Sequence, residues 1–358
     1  MFRSLKGGRP VAVVAAALLF LATACGSGQE TAAPAASAPA ASAPAESAPA
    51  NVFPVTIEHK YGSTTIPAAP TRVFTVGLTD QDAVLALGTV PVGTTDWFGG
   101  FPGAIGPWAK DKLGSSPVPT LLTDTGTGPQ VEKIAALKPD LILALYAGIT
   151  KEQYETLSKF APVVAQPKEF NDYGIPWQEQ TLLAGKALGK DAEAKALVEG
   201  VDAKFASAKQ EHPEFTGATA VVATPYEGFF VYGSQDARSR TLASLGFSMP
   251  SDLDEVIGNT FGTSISRERA DLLDQKVTVW TVPDLVKDVE TLHKDKLYGD
   301  MSVVSEGREV FVGESSDYGV AFSFVTVLSL PYVIDRLVPQ LAAAVDGDPA
   351  TKVEQPTS

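Results

Sequence analysis

The sequence predicts an α/β protein built as two lobes joined by one long helix. Three observations lead there. From residue 72 onward, short apolar runs alternate with amphipathic stretches, the pattern of a parallel sheet with helices on both faces. Between Pro176 and Glu211 that alternation stops, and a nearly uninterrupted helical stretch takes its place. After Gly217 the alternation resumes. With 358 residues the chain is long enough for two ordinary domains.

The first 24 residues read as a secretory signal. Arg3, Lys6 and Arg9 precede the apolar run Val11–Leu21, which is too short to span a bilayer. The run ends in Leu21-Ala22-Thr23-Ala24-Cys25-Gly26, which resembles a bacterial lipobox. Cys25 is the sole cysteine and is the expected site of lipid attachment. Residues 25–51 are rich in Ala, Pro and Ser, and too poor in bulky apolar side chains to offset chain entropy. A disordered, extended tether is expected there. Cleavage before Cys25 removes three cations and no acid, taking the net charge from −14 to −17.

The folded part begins near residue 52. Phe53, Val55 and Ile57 alternate with polar residues, and the chain turns back near Gly62-Ser63, which predicts a β-hairpin. The first lobe, 52–174, then reads as strand 72–76, helix 80–87 closed by Gly88, strand 90–93, helix 129–137, strand 141–146, helix 151–160 and a short strand at 163–164. Residues 175–212 form the bridging helix. Pro176 suits its first turn, and Gly189-Lys190-Asp191 marks a break or kink. The second lobe, 213–345, reads as strands 220–223, 229–232, 277–281 and 309–312, with helices at 239–245, 267–273, 286–292 and 319–344. Residues 346–358 are a tail.

Several function classes are disfavoured. The acidic balance argues against a general nucleic-acid binder, which needs a basic face. No phosphate-cradling P-loop, dinucleotide fingerprint, zinc-protease or nucleophile-elbow motif occurs. His59, His212 and His293 read as surface residues, too few and too scattered for a metal centre. No spacing singles out a catalytic pair of acids, so an enzyme is not expected.

Gly128-Pro129-Gln130-Val131-Glu132-Lys133-Ile134-Ala135-Ala136-Leu137-Lys138-Pro139-Asp140-Leu141-Ile142-Leu143 resembles the first-lobe signature of iron-siderophore, haem and cobalamin binding proteins of bacterial ABC importers. Gln130 stands where asparagine is common. Ile265-Ser266-Arg267-Glu268-Arg269-Ala270-Asp271-Leu272-Leu273 resembles the counterpart in the second lobe, and Ala321-Phe322-Ser323 and Leu328-Ser329-Leu330-Pro331-Tyr332 resemble siderophore-binding members. The resemblance covers about residues 52–345. It implies two Rossmann-like lobes with parallel sheets, a ligand cleft between them, and small closure on binding because a rigid helix connects them. It also implies a monomer held extracytoplasmically at the membrane by its lipid. That protein would deliver a ferric siderophore to an ABC permease and its ATPase. Permease docking falls by motif on Glu132 and Glu268, one acid per lobe; each acid also suits the helix N-terminus that it occupies.

In open α/β sheets, ligands sit at the carboxyl ends of strands. Trp97 and Phe98 in a glycine-rich loop, Tyr146 at a strand end, and Tyr226, Arg238 and Tyr318 in the second lobe are the candidate ligand contacts. Core packing is the alternative for each aromatic, and the stronger reading for Trp177 and Trp280. The first-lobe mouth segments carry no Arg or Lys, and the second lobe offers Arg238 and Arg240. That favours a hydroxamate or mixed siderophore over a strongly anionic catecholate. The chelator supplies the iron ligands, so no resident metal or cofactor is expected. Haem or cobalamin is the alternative ligand, with Tyr146 or Tyr318 as axial candidates; a surface lipoprotein with no transport role is the alternative from another class.

Overall fold

The computed structural model describes residues 52–97, 99–123, 128–258 and 260–356. The expected signal and tether, with Cys25, lie outside them. The N-terminal lobe opens with an antiparallel hairpin of β1 (Val55–His59) and β2 (Gly62–Ile66), Val55 opposite Ile66. Its turn is Lys60-Tyr61, ahead of the expected Gly62-Ser63; Gly62, at φ +124°, begins the return strand. Five strands follow: β3 (Val73–Thr75), β4 (Gly93–Thr95), β5 (Thr120–Leu122), β6 (Leu141–Ala144) and β7 (Val163–Ala165). They form a parallel sheet in the order β5-β4-β3-β6-β7. The helices α1 (Asp80–Ala86), α2 (Val131–Ala136) and α3 (Lys151–Leu157) lie between them in sequence. The sheet is buried on both sides, so the Leu141–Ala144 run is apolar throughout rather than alternating. Val73, Leu141 and Leu143 face α1 and the hairpin; Phe74, Ile142 and Ala144 face α2 and α3. The short strand β5, mostly exposed, carries too little apolar signal to be expected from sequence.

The bridge is two helices, α4 (Trp177–Leu188) and α5 (Asp191–Glu211). They are broken where the sequence marks a break. Gly189 ends α4 at φ +69°, a left-handed cap that stops the helix. Ala184, Ala187 and Leu188 pack into the N-terminal core, whereas Val198, Val201 and Phe205 of α5 pack into the C-terminal core. Trp177 is buried in the latter, as core.

The C-terminal lobe holds β8 (Ala220–Thr224), β9 (Phe229–Tyr232), β10 (Gly262–Ile265), β11 (Val277–Val282) and β12 (Glu309–Gly313), in the order β10-β9-β8-β11-β12. This sheet is mixed, which corrects the expectation of two parallel sheets. β8, β11 and β12 are parallel, but β9 runs antiparallel to both of its neighbours. The reason is the connection: Pro225–Gly228 is a tight turn with Glu227 at φ +49° and Gly228 at φ +98°, too short for a crossover. Around the sheet lie α6 (Ala237–Ser244), α7 (Leu253–Ile257), α8 (Lys287–Lys294), α9 (Lys296–Gly299), α10 (Ser302–Ser305), α11 (Asp317–Ser323) and α12 (Ser329–Val345). Residues 267–273 form a 3-10 helix. The expected terminal helix 319–344 is therefore two. At the second start, Ser329 N–H donates to Thr326 Oγ1 (2.9 Å) and Thr326 N–H donates to Ser329 Oγ (2.8 Å), a reciprocal cap that begins a new helix.

The lobes also meet away from the bridge. Thr326 Oγ1 donates to Asp82 Oδ2 of α1 at 2.6 Å. Trp97 meets Phe324 edge-on at 5.3 Å between ring centres, and Trp108 lies 6.0 Å from Tyr332. Among the described residues no helix is long and apolar enough to cross a membrane.

Candidate functional site

The two lobes enclose a cleft of about 410 Å³ lined by Leu78, Tyr146 and Tyr173 on one side and Tyr232, Asp236, Arg238, Phe261 and Phe324 on the other. Leu78 follows β3, and Tyr146 follows β6, so the N-terminal half of the site stands at carboxyl ends of strands. The fully buried Asp80 carboxylate pins that corner. It accepts from the backbone N–H of Leu145 (2.8 Å) and Tyr146 (3.0 Å) and from Gln180 Nε2 of α4 (2.7 Å). Tyr173 comes from the 166–176 loop and meets Tyr146 edge-on at 5.7 Å. Its backbone is left-handed at φ +60°, a conformation that a bulky residue adopts only when its surroundings impose it. Those surroundings are visible: Lys60 Nζ bonds Asp172 at 2.6 Å, and Arg240 Nη1 donates to Gly174 O at 2.7 Å.

The C-terminal half is built around Arg238. Asp236 caps α6, its Oδ1 accepting from Arg238 N–H at 2.9 Å. The same carboxylate accepts from Arg238 Nη1 at 3.2 and 3.1 Å, and Ser323 O accepts from that nitrogen at 3.3 Å. The guanidinium lies over the Tyr232 ring, 3.9 Å from its centre. Burial pushes the Asp236 carboxyl up from its ordinary range; the Arg238 charge and the capping N–H groups oppose this. Burial also pushes the Tyr146 hydroxyl up, so it serves as a neutral hydrogen-bonding group at ordinary pH. A side cavity of about 180 Å³ continues past Arg238 to Glu314, and another of about 280 Å³ runs past Tyr173 to Gly128, Thr150 and Gln153.

Of the residues predicted from sequence, Tyr146 and Arg238 line the cleft. Trp97 stands beside it, its Nε1 donating to Ala104 O at 3.0 Å and its ring against Phe324. Phe98 lies outside the described residues. Tyr226 is 60% exposed on the β8–β9 turn and meets Phe230, which in turn meets Phe261 of the cleft lining. Tyr318 is a correction. It is buried in the C-terminal core with its hydroxyl donating to Gln340 Oε1 at 2.9 Å, because α11 turns that face onto α12. Trp280 is likewise core, its Nε1 donating to Tyr298 Oη at 2.6 Å. Arg240 is spent on Gly174 rather than left for a ligand. His59 is also a correction: it is buried, its Nε2 3.0 Å from Thr64 Oγ1, because β1 turns it inward against Tyr154. Glu132 and Glu268 are exposed in the first turns of α2 and of the 267–273 helix. Among the described residues no group of three or more His, Cys, Asp or Glu is placed to hold a metal ion.

Sequence reasoning missed Tyr173, Tyr232, Asp236, Phe261 and Phe324. Two carried a signal. Asp236 two residues before Arg238 at a helix start is a cap pattern, and Asn171-Asp172-Tyr173-Gly174 is a turn pattern with an aromatic in it.

A sequence model of the periplasmic binding protein family matches residues 75–310, which spans parts of both lobes and the cleft lining apart from Phe324. The chain belongs to that family. This is a family of solute-binding proteins rather than enzymes, and the two-lobed fold with its cleft is the family's fold. The periplasmic solute binding protein of Mycobacterium smegmatis is 35% identical, covers 81% of this chain and 98% of its own, and superposes with a TM-score of 0.71. The Streptococcus pneumoniae protein PiaA, solved in complex with ferrichrome, is 29% identical, covers 82% of this chain and 99% of its own, with a TM-score of 0.73. The Bacillus subtilis putative ABC transporter substrate-binding lipoprotein YhfQ is 27% identical over 65% of this chain and 69% of its own length. As a periplasmic binding protein, the chain is expected to hold its solute where these two half-sites face each other.

Proposed function

We propose that this periplasmic binding protein is a lipid-anchored, monomeric receptor that captures a ferric siderophore of hydroxamate or mixed type and delivers it to an ABC permease. The cleft carries the reading. Aromatic side chains, namely Tyr146, Tyr173, Tyr232, Phe261 and Phe324, surround one arginine whose charge is matched by Asp236. Such a lining grips a bulky complex of little net charge by its faces and by a few hydrogen bonds. PiaA, similar over almost its whole length, was solved with ferrichrome, which supports the same ligand class here. In this reading the chelator brings the iron ligands with it, and the protein recognises the outside of the complex. Cys25 carries the lipid, and Glu132 and Glu268 meet the permease.

A tryptophan-fluorescence titration of residues 52–358 tests the ligand. Trp97, beside the cleft, is the reporter. Saturable quenching by a ferric hydroxamate, absent with the iron-free chelator, is the expected outcome. Quenching by haem alone would transfer the assignment to haem, for which Tyr146 remains placed in the cleft and Tyr318 does not. Silence with ferric hydroxamate, ferric catecholate, ferric citrate and haem alike would remove the iron assignment.

A further inference from the structure

Among the described residues, the charged side chains lining the cleft and its C-terminal side cavity are Asp236, Arg238 and Glu314. Among the described residues, the N-terminal side cavity is lined by no Asp, Glu, Lys or Arg. Arg240, next along α6, points its Nη1 at a carbonyl. Among the described residues, two carboxylates and one arginine thus line these cavities, and that arginine is already paired with a carboxylate that is only 7% exposed.

We propose that Asp236 is a specificity-determining residue: by cancelling Arg238 inside the cleft, it makes the site select ferric complexes of zero or low positive charge and reject anionic ones. This rests on the ferric-siderophore reading above. The physical argument is one of placement. A charge held in a buried, water-poor cleft acts on its neighbours through a low effective dielectric, so a like charge on the ligand is resisted far more than it would be at the surface. Asp236 is fixed for this by its geometry. Its Oδ1 is held by the cap of α6 and both oxygens by Arg238, so it cannot swing away when an anion arrives. Arg238 in turn has its Nη1 shared between Asp236 and Ser323 O and its plane on Tyr232, and its Nε is buried without a hydrogen-bond acceptor. A guanidinium so confined can donate to a neutral carbonyl-type oxygen of a ligand, yet offers an anion no uncompensated charge. Helix capping alone does not require this. Asparagine caps as well as aspartate, so the cap does not call for the carboxylate's charge; that charge is the counter-charge of Arg238.

The test is Asp236→Asn, which keeps the cap acceptor and removes the charge, with Glu314→Gln as an independent second variant. Each is titrated with a neutral ferric hydroxamate and a trianionic ferric catecholate at low and high salt, and checked by thermal melting. The wild type is expected to prefer the hydroxamate. D236N is expected to raise the catecholate-to-hydroxamate affinity ratio by at least about tenfold at low salt, less at high salt. E314Q should move it the same way by less. A ratio that stays put in folded D236N overturns the inference; if D236N does not fold, an unmoved ratio in E314Q does so. A wild type that already prefers the catecholate also overturns it while leaving the receptor reading intact. A wild type that binds neither complex defeats the receptor reading itself.

Discussion

The Tyr318 hydroxyl donates to Gln340 Oε1 inside the C-terminal core, whereas Tyr146 opens onto the cleft. In sequence the two look alike: each is a tyrosine followed by a small residue at the boundary of a regular element. Substituting Tyr318 by Phe removes one buried hydrogen bond and leaves Gln340 Oε1 without its partner. The expected cost is about 1–2 kcal/mol in urea denaturation, with ligand affinity unchanged. A tenfold or larger loss of affinity at constant stability would return Tyr318 to the ligand site (about 1.4 kcal/mol). Residue type and local spacing reveal that a tyrosine is placed to matter; they do not reveal which way it faces. That depends on what packs across from it, here α12, which follows in the sequence but lies over α11 only once both are folded. Tyr173 and Asp236 were missed for different reasons. The loop that carries Tyr173 is held by Lys60 on Asp172 and Arg240 on Gly174, contacts that exist only once distant segments meet, whereas Asp236 lay two residues from Arg238 and was passed over as a cap.

Between elements, the most consequential contact is that of α1 with the segment separating α11 from α12. Asp82 Oδ2 accepts from Thr326 Oγ1 at 2.6 Å and from Trp108 Nε1 at 2.7 Å, and Oδ1 is buried without a partner. Burial pushes this carboxyl up to about 6, although both hydrogen bonds pull the other way. The unfolded chain holds it near its ordinary value. Between the two values the native state binds more protons than the unfolded state, so stability falls as pH rises through roughly 4 to 6. The full cost, ~3 kcal/mol, is present above pH 6. Asp82→Asn keeps an acceptor for Thr326 and Trp108 and cannot ionise. Wild type minus D82N stability, from denaturant melts, is therefore expected to drop by about that amount from pH 4 to pH 7. Parallel profiles would show that Asp82 titrates no differently in the folded chain. This contact was illegible in sequence because Thr326 lay inside what the periodicity reads as one terminal helix. The cap between Thr326 and Ser329 splits it. The mid-chain break at Gly189 was legible, since a glycine at a helix end announces itself locally.

At the scale of the molecule, Glu132 and Glu268 are exposed, one in each half, each in the first turn of a helix that leads into a strand of its sheet. If they meet cations on a permease, reversing both to arginine should abolish uptake of the ferric complex in cells while purified protein binds it as before. Unchanged uptake would leave them as helix-start acids only. The interlobe contacts of Asp82, Trp97 and Trp108 add to the α4–α5 bridge, so the lobes are tied at more than one place. That is consistent with a receptor that closes little.

The two α/β lobes, the helical bridge with its break, and the helix-start positions of Glu132 and Glu268 were legible in the chain itself. Each of these rests on periodicity, caps and glycines, which act within a few residues of one another. Folding was needed to show that the second sheet is mixed, that Tyr318 and His59 are interior, and that Tyr146, Tyr173, Tyr232, Asp236 and Arg238 line one cleft. The interior Tyr318 and the cleft depend on segments far apart in the chain being packed face to face, which no local pattern encodes; the antiparallel β9 and the inward His59 follow from the short turn at Pro225–Gly228 and from alternation along β1, local signals that the sequence reading passed over.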